Sequence, residues 1–374
     1  MTAPLSWDVD TPLTCPHCGR QLSTLVVNPA GELIGCEECA EGLGLAGESL
    51  SLDEWNAAEL VAEALDRFRL GERRVSKPAA TETQRPRAHY WDVVAEDNRR
   101  YFLKQFHDWF PPESITYTHS IHTRLSEQGL PAPRAVLDRD GASFTRAGGS
   151  YWALYHALDG RHANERDWMW GRPKAAETLG ALHRALEGFT PQGEPFEPWT
   201  AWTIDTVDRV LESWQPQPEL LPAELLGFVR DRLAHRYFGQ LYPELPKLVV
   251  HGDYVSANVL WRGDAISSTI SGILDFERAH LDTALFDFAW GLGDRRPPLL
   301  RAAVASYSRA RTLSPVEREA LPEAMLLSAL MAIDMQMTYF NDQREVARLA
   351  TDLHYMVRDL DSLRRAVALK QSMY

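Results

Sequence analysis

The sequence predicts an α+β protein of two lobes, a small antiparallel-sheet N-lobe followed by a mainly helical C-lobe, with a zinc ribbon in front of them. Three observations predict this. All four cysteines fall in the first forty residues as two Cys-x-x-Cys pairs; short apolar runs with strand-like alternation lie between Arg74 and Phe106; and from Leu299 onward apolar residues recur at helical spacing. The expected boundaries are residues 1–47 for the ribbon, 48–156 for the sheet lobe and 157–374 for the helical lobe.

The bulk properties agree with a globular chain. Its 374 residues are 45% hydrophobic, enough for a substantial core. Lys and Arg number 39 against 52 Asp and Glu, a net charge of −13 that disfavours non-specific attraction to nucleic acid or an anionic membrane and suits a cationic small molecule. No apolar run approaches the roughly 20 residues that span a bilayer. Met1 to Thr14 lacks the charged start and greasy centre of a leader, so the cytoplasm is the expected location.

In the ribbon, Cys15 and Cys18 are separated from Cys36 and Cys39 by seventeen residues, with Gly19 after the first pair and Gly35 before the second. Leu22 to Asn28 and Glu32 to Ile34 read as a hairpin turned by Pro29-Ala30-Gly31. Four thiolates on two tight turns make a closed tetrahedral Zn²⁺ site, structural rather than catalytic. Disulfides or a reactive dithiol are the alternatives, and a cytoplasmic location argues against the first. His17 reads as a bystander. Arg20 is the ribbon's only Lys or Arg, which points to packing or a protein partner rather than nucleic acid.

Ser51 opens a helix with Glu54 three residues on, the pattern of a capping box, and apolar residues from Ala57 to Phe68 follow at spacings of three and four until Gly71. Strands are expected near Arg74 to Lys77, at His89 to Ala95 and at Tyr101 to Phe106, the last carrying Lys104 on the face opposite Leu103. A lysine there is either a functional cation or a device that blunts a sheet edge. After Pro111-Pro112 comes a helix to Gln128, with Glu113 and Glu127 at its ends and His119 and His122 in its middle turns. Tyr151 to Leu158 reads as an apolar strand, and Thr178 to Leu186 as a helix holding His183, a histidine better suited to packing than to carrying protons. Trp168, Trp170, Trp199, Trp202 and Trp214 crowd this half, as core residues or as a cage for a cation.

The chemistry concentrates in Leu248 to Trp290. An apolar run ends in His251-Gly252-Asp253-Tyr254; Asn258 precedes Val259 and Leu260; a polar turn covers Arg262 to Ser268; and Ile270 to Leu274 returns to Asp275. A hairpin of this form brings Asp253, Asn258 and Asp275 together although twenty-two positions separate the outer two. Two carboxylates and a carboxamide oxygen suit Mg²⁺, and a carboxylate left off the metal can take a hydroxyl proton.

These residues, with Leu274-Asp275-Phe276-Glu277 and Phe286-Asp287-Phe288-Ala289, resemble the phosphotransferase family of aminoglycoside, choline and homoserine kinases, which share the protein-kinase-like fold. The resemblance implies an ATP- and Mg²⁺-dependent kinase acting on the hydroxyl of a small, amine-bearing molecule. It implies Asp253 as catalytic base, Asn258 and Asp275 as holders of Mg²⁺ on the ATP phosphates, and Asp287 as a structural brace. It implies Lys104 as the strand lysine on the α and β phosphates, and Tyr155, His156, Ala157 and Leu158 as the hinge against adenine. Two departures stand out. Ala80 to Ala88 carries no glycine-rich phosphate loop, only Arg85 and Arg87 as substitutes, and the helix after Pro112 has histidines where the family's lysine-pairing glutamate is usual. Those departures favour the alternative of a kinase fold that only binds, with the ribbon as partner contact.

Beyond Leu299, Ala324 to Met337 is apolar nearly all round, which marks a buried helix, and Asp334 interrupts it. A buried carboxylate needs a partner, and a substrate amine is one candidate, with Asp342 and Glu345 as companions. The sequence leaves the acceptor's identity open.

Overall fold

The computed structural model describes residues 24–27, 33–35, 48–76, 89–106, 110–162, 165–196, 202–214, 218–263, 269–340 and 342–368, with side chains from residue 58 onward except at 89, 165–167 and 339. Cys15, Cys18, Cys36 and Cys39, and the stretch 80–88, lie outside the described residues.

Two compact units make up the chain: Met1–Arg99 with Leu103–His107 and Val136–Leu154, and Arg100–Phe102 with Asp108–Ala135 and Tyr155–Tyr374. In the first, β1 (Thr24–Val27) pairs antiparallel with β2 (Leu33–Gly35), the hairpin expected between the cysteine pairs, and its other edge pairs with β3 (Glu48–Ser51). Ser51 therefore ends a strand immediately before the helix Leu52–Asp66. A five-stranded sheet follows, built from β4 (Arg73–Ser76), β5 (His89–Ala95), β6 (Arg100–Gln105), β7 (Thr145–Ala147) and β8 (Ser150–His156) in the order β4-β5-β6-β8-β7. Period-two alternation decides what it buries: Trp91, Val93 and Ala95 on β5 and Leu103 on β6 are buried, and the Trp91 and Trp152 rings meet at 5.3 Å.

The second unit is mainly helical. The helix Pro112–Glu127 starts with proline just inside its first turn and ends before Gly129, whose φ of +73° is the left-handed stop that glycine adopts freely. Glu165–Leu186 packs along Pro297–Ala310, and Pro315–Met335 runs through the core behind a capping box formed by Ser314 and Glu317. The latter, extended to Thr338, is long and apolar enough to cross a bilayer by length and composition; most of it is buried inside the protein, as the all-round apolar pattern anticipated. Two small sheets complete the unit. β10 (Lys247–Val250) pairs with β13 (His280–Thr283), and the hairpin β11 (Val259–Arg262) with β12 (Thr269–Ile273) takes β9 (Arg161–His162) on its free edge.

Candidate active site

Strand β10 delivers the chain to His251, Gly252 and Asp253 at its end. Gly252 has φ +81°, and a Cβ there would overlap the carbonyl of Arg278, so the turn requires glycine twice over. Beneath it sits the fully buried Asp287, whose carboxylate accepts the backbone N–H of His251 at 2.7 Å, that of Gly252 at 2.8 Å and Nε2–H of His183 at 3.0 Å. Burial opposes its ionisation, but the His183 hydrogen bond and charge, with the backbone donor, outweigh that and hold Asp287 below the usual carboxylate range. His183 is itself buried, its Nδ1 2.8 Å from the Tyr307 hydroxyl, which also accepts from Arg311 at 3.2 Å.

His251 stitches the hairpin ends together. His251 Nδ1 accepts the Asp253 N–H at 3.2 Å while its Nε2–H donates to the Leu274 carbonyl at 2.9 Å, and the Leu274 N–H donates to the Asn258 carbonyl at 2.8 Å. Asp253 and the residue before Asp275 are thus tied through one imidazole. Asn258 Nδ2 donates to the Asp253 carbonyl at 2.9 Å and to its Oδ2 at 3.2 Å, which turns the carboxamide oxygen the other way. Asp275 is exposed, with φ +64° and ψ +62°, a left-handed conformation that a non-glycine residue holds only when its surroundings require it. Its charge adds to burial in pushing the Tyr155 phenol well above its ordinary value.

The other sequence candidates fall as follows. Lys104, in the first unit, is buried, with Nζ 5.2 Å from the Tyr90 ring and 5.1 Å from the Phe106 ring, so it is not an edge-strand lysine facing solvent. Among the expected hinge residues, Tyr155 is buried and its hydroxyl lies 2.8 Å from His119 Nε2. The N–H of His156 donates to Arg134 and that of Ala157 to Arg100, so both are already engaged, while Leu158 follows directly after them. Of the middle histidines of Pro112–Glu127, His119 is the one that meets Tyr155, and the His122 ring packs edge-on against Phe276 at 5.1 Å. Asp334 corrects the expectation of a buried carboxylate. It is half-buried, and its Oδ1 accepts from the Trp214 indole at 3.0 Å and the Thr338 hydroxyl at 3.3 Å. Asp342 caps the helix Gln343–Arg358 by accepting from Arg344 and Glu345, and Glu345 pairs with Arg348.

One residue was not singled out from the sequence. Trp290 donates its indole N–H to Asp253 Oδ1 at 3.0 Å, and its ring lines a narrow aromatic cleft with Trp202, Tyr242, Phe286 and Met331. Its position three residues after Asp287 was the only signal, and spacing alone does not tell an indole aimed at a carboxylate from one packed in a core.

Comparison with known proteins identifies the family. Residues 88–325 match the family described as "Phosphotransferase enzyme family". A homoserine kinase of Caulobacter sp. (strain K31) is 28% identical over 237 residues, 60% of this chain and 69% of that protein. Among solved structures, a microcompartment-associated aminopropanol kinase superposes with a TM-score of 0.61 at 15% identity, covering 83% of this chain and 99% of that one. An aminoglycoside phosphotransferase from Alicyclobacillus acidocaldarius does so with 0.59 at 13%, covering 82% and 94%. Those two likenesses establish the kinase-like fold. The chain belongs to the phosphotransferase enzyme family and is a phosphotransferase that acts on a hydroxyl group.

Proposed function

We propose that this protein is an ATP- and Mg²⁺-dependent kinase that phosphorylates a hydroxyl of a small, amine-bearing molecule, with Asp253 as its base. The observation that carries this reading is the convergence around His251: one imidazole joins the Asp253 loop to the strand end before Asp275, and Asn258 touches Asp253 directly. Asp253 orients the acceptor hydroxyl and takes its proton as the acceptor oxygen bonds to the γ-phosphorus and the bond from that phosphorus to the ADP oxygen breaks. Lys104 contributes a fixed cation to the nucleotide phosphates.

The donor set fits Mg²⁺. The Asn258 carboxamide oxygen is turned away from Asp253, the Asp275 carboxylate is exposed, and hard oxygen ligands of this kind suit a cation that keeps water and phosphate in the rest of its shell. These two oxygens are the protein ligands we assign to the ion. When bound, the ion neutralises charge on the transferring phosphoryl group.

The adenine edge falls to the hinge carbonyls and to Leu158, because the N–H groups of His156 and Ala157 are taken. Asp334 is the substrate-amine contact. Met331, one helical turn before it, lines the same cleft as Trp290, and Trp290 touches Asp253. Homoserine and aminopropanol, named for the relatives above, are both amino alcohols, which supports an acceptor of that class. At the N-terminus we read Cys15, Cys18, Cys36 and Cys39 as a structural Zn²⁺ site; the hairpin between the pairs, with Cys36 directly after β2, supports it.

The test is MgATP consumption across L-homoserine, aminopropanols, choline and amino sugars, with Asp253→Asn as blank. Turnover on an amino alcohol that the variant lacks is the expected result. Turnover confined to amine-free alcohols would overturn the acceptor class, and equal turnover by the variant would overturn the assignment of the base.

A further inference from the structure

The Asp253 carboxylate is held by one donor on each of its oxygens. Asn258 Nδ2 reaches Oδ2 at 3.2 Å, and the Trp290 indole N–H reaches Oδ1 at 3.0 Å. We propose that Trp290 is a positioning residue for phosphoryl transfer, its indole N–H fixing the rotation of the Asp253 carboxylate while its ring walls the cleft beside it. This rests on the reading of Asp253 as the base.

The argument begins with torsional freedom. The terminal torsion of an aspartate is broad and twofold, so a carboxylate with a donor on one oxygen still sweeps its lone pairs through space. Each carboxylate oxygen has two lone-pair sites. With one site on each oxygen engaged, the two that remain point in fixed directions, and a hydroxyl meeting one of them is oriented before reaction. Orientation is worth much here, since a misplacement of about 1 Å costs roughly a hundredfold in rate.

A second, independent observation concerns the backbone that brings the indole there. Trp290 lies in Phe288–Leu292, a π-helical turn that directly continues the short helix Ala284–Asp287. Turns of this kind are wider than an α-turn and are frequent where a helix must re-aim a side chain at a working site. The next residue, Gly291, is pressed against the catalytic loop so closely that a Cβ would overlap the Tyr254 carbonyl. Any other residue would push the turn away from Asp253. The same segment thus carries Asp287, which holds the loop from below, and Trp290, which holds its carboxylate from the side.

The two duties of Trp290 separate experimentally because phenylalanine keeps a ring in the cleft and loses the donor. The chain has 12 tryptophans, so the ¹⁵N–¹H indole signal of Trp290 is the one that vanishes in Trp290→Phe. In the wild-type protein that signal is expected downfield of an ordinary indole, and Asp253→Ala should return it upfield. A signal indifferent to Asp253→Ala would overturn the proposal. With MgATP and L-homoserine, Trp290→Phe is expected to lower kcat by roughly ten- to a hundredfold, the range for a hydrogen bond to a charged group, with KM for ATP within about twofold. A kcat within about twofold of wild type would overturn it, since a packing role survives in phenylalanine. Lack of turnover by the wild-type protein on homoserine and on every other acceptor would instead count against the kinase reading, and the indole signal would still judge the clamp.

Discussion

Asp287 holds Gly252 by its backbone: Oδ1 accepts the Gly252 N–H at 2.8 Å while Oδ2 accepts the neighbouring N–H of His251 at 2.7 Å. One buried carboxylate therefore fixes two successive peptide groups directly before Asp253, and His183 fixes the carboxylate. The loop that carries Asp253 is thus positioned from underneath by a fully buried residue.

Replacing Asp287 with Asn leaves its shape but removes the charge that three donors share. Breaking a buried charged network of this kind costs about 3–5 kcal/mol. Because the folded pKa of Asp287 is depressed, its contribution is complete above the unfolded aspartate value of about 3.9 and is lost as pH falls through the folded value. Urea unfolding at pH 7 should show the full loss in Asp287→Asn, and the gap from wild type should narrow below about pH 4.

Gly252→Ala meets both a positive φ and the Arg278 carbonyl. A strained residue of this type costs about 1–3 kcal/mol, and the overlap adds to it. Thermal unfolding should report the loss, with activity falling further than stability because Asp253 is the next residue.

Asn258→Ala removes an oxygen of the proposed Mg²⁺ set and one of the two donors on Asp253. The Mg²⁺ concentration for half-maximal turnover should rise by more than the roughly 10- to 100-fold that loss of an outer-shell partner costs. A magnesium titration at saturating ATP measures it, and an unchanged midpoint would remove Asn258 from the metal site.

The cysteine pairs predict about one zinc per chain in purified protein by elemental analysis. Cys36→Ser should release it. Zinc content unchanged by that substitution would take Cys36 out of the site.

Much of the candidate site was legible in the sequence because its signals are local. The hairpin was visible as two apolar runs about a polar turn, and β11 and β12 lie within a residue or two of where those runs stood. The pairing of β13 with β10 was not visible, because His280-Leu281-Asp282-Thr283 has one large apolar side chain and that one is 62% exposed; its neighbour β10 makes it a strand. Asp342 has a local role that the sequence reading passed over. An acidic residue after a long apolar helix invited a ligand role, and the structure shows that it also caps the next helix. The contact of Trp290 with Asp253 spans 37 positions and depends on a π-turn and a glycine whose need is visible only in three dimensions.

The most direct test of the central claim, that Asp253 directs the γ-phosphoryl group onto an amino alcohol's hydroxyl, is ³¹P NMR of MgATP with L-homoserine or an aminopropanol. The account predicts a phosphomonoester signal growing in step with ADP, and its loss by a factor on the order of a hundred to ten thousand in Asp253→Asn. ADP accompanied only by inorganic phosphate, or an ester formed equally well by Asp253→Asn, would contradict it.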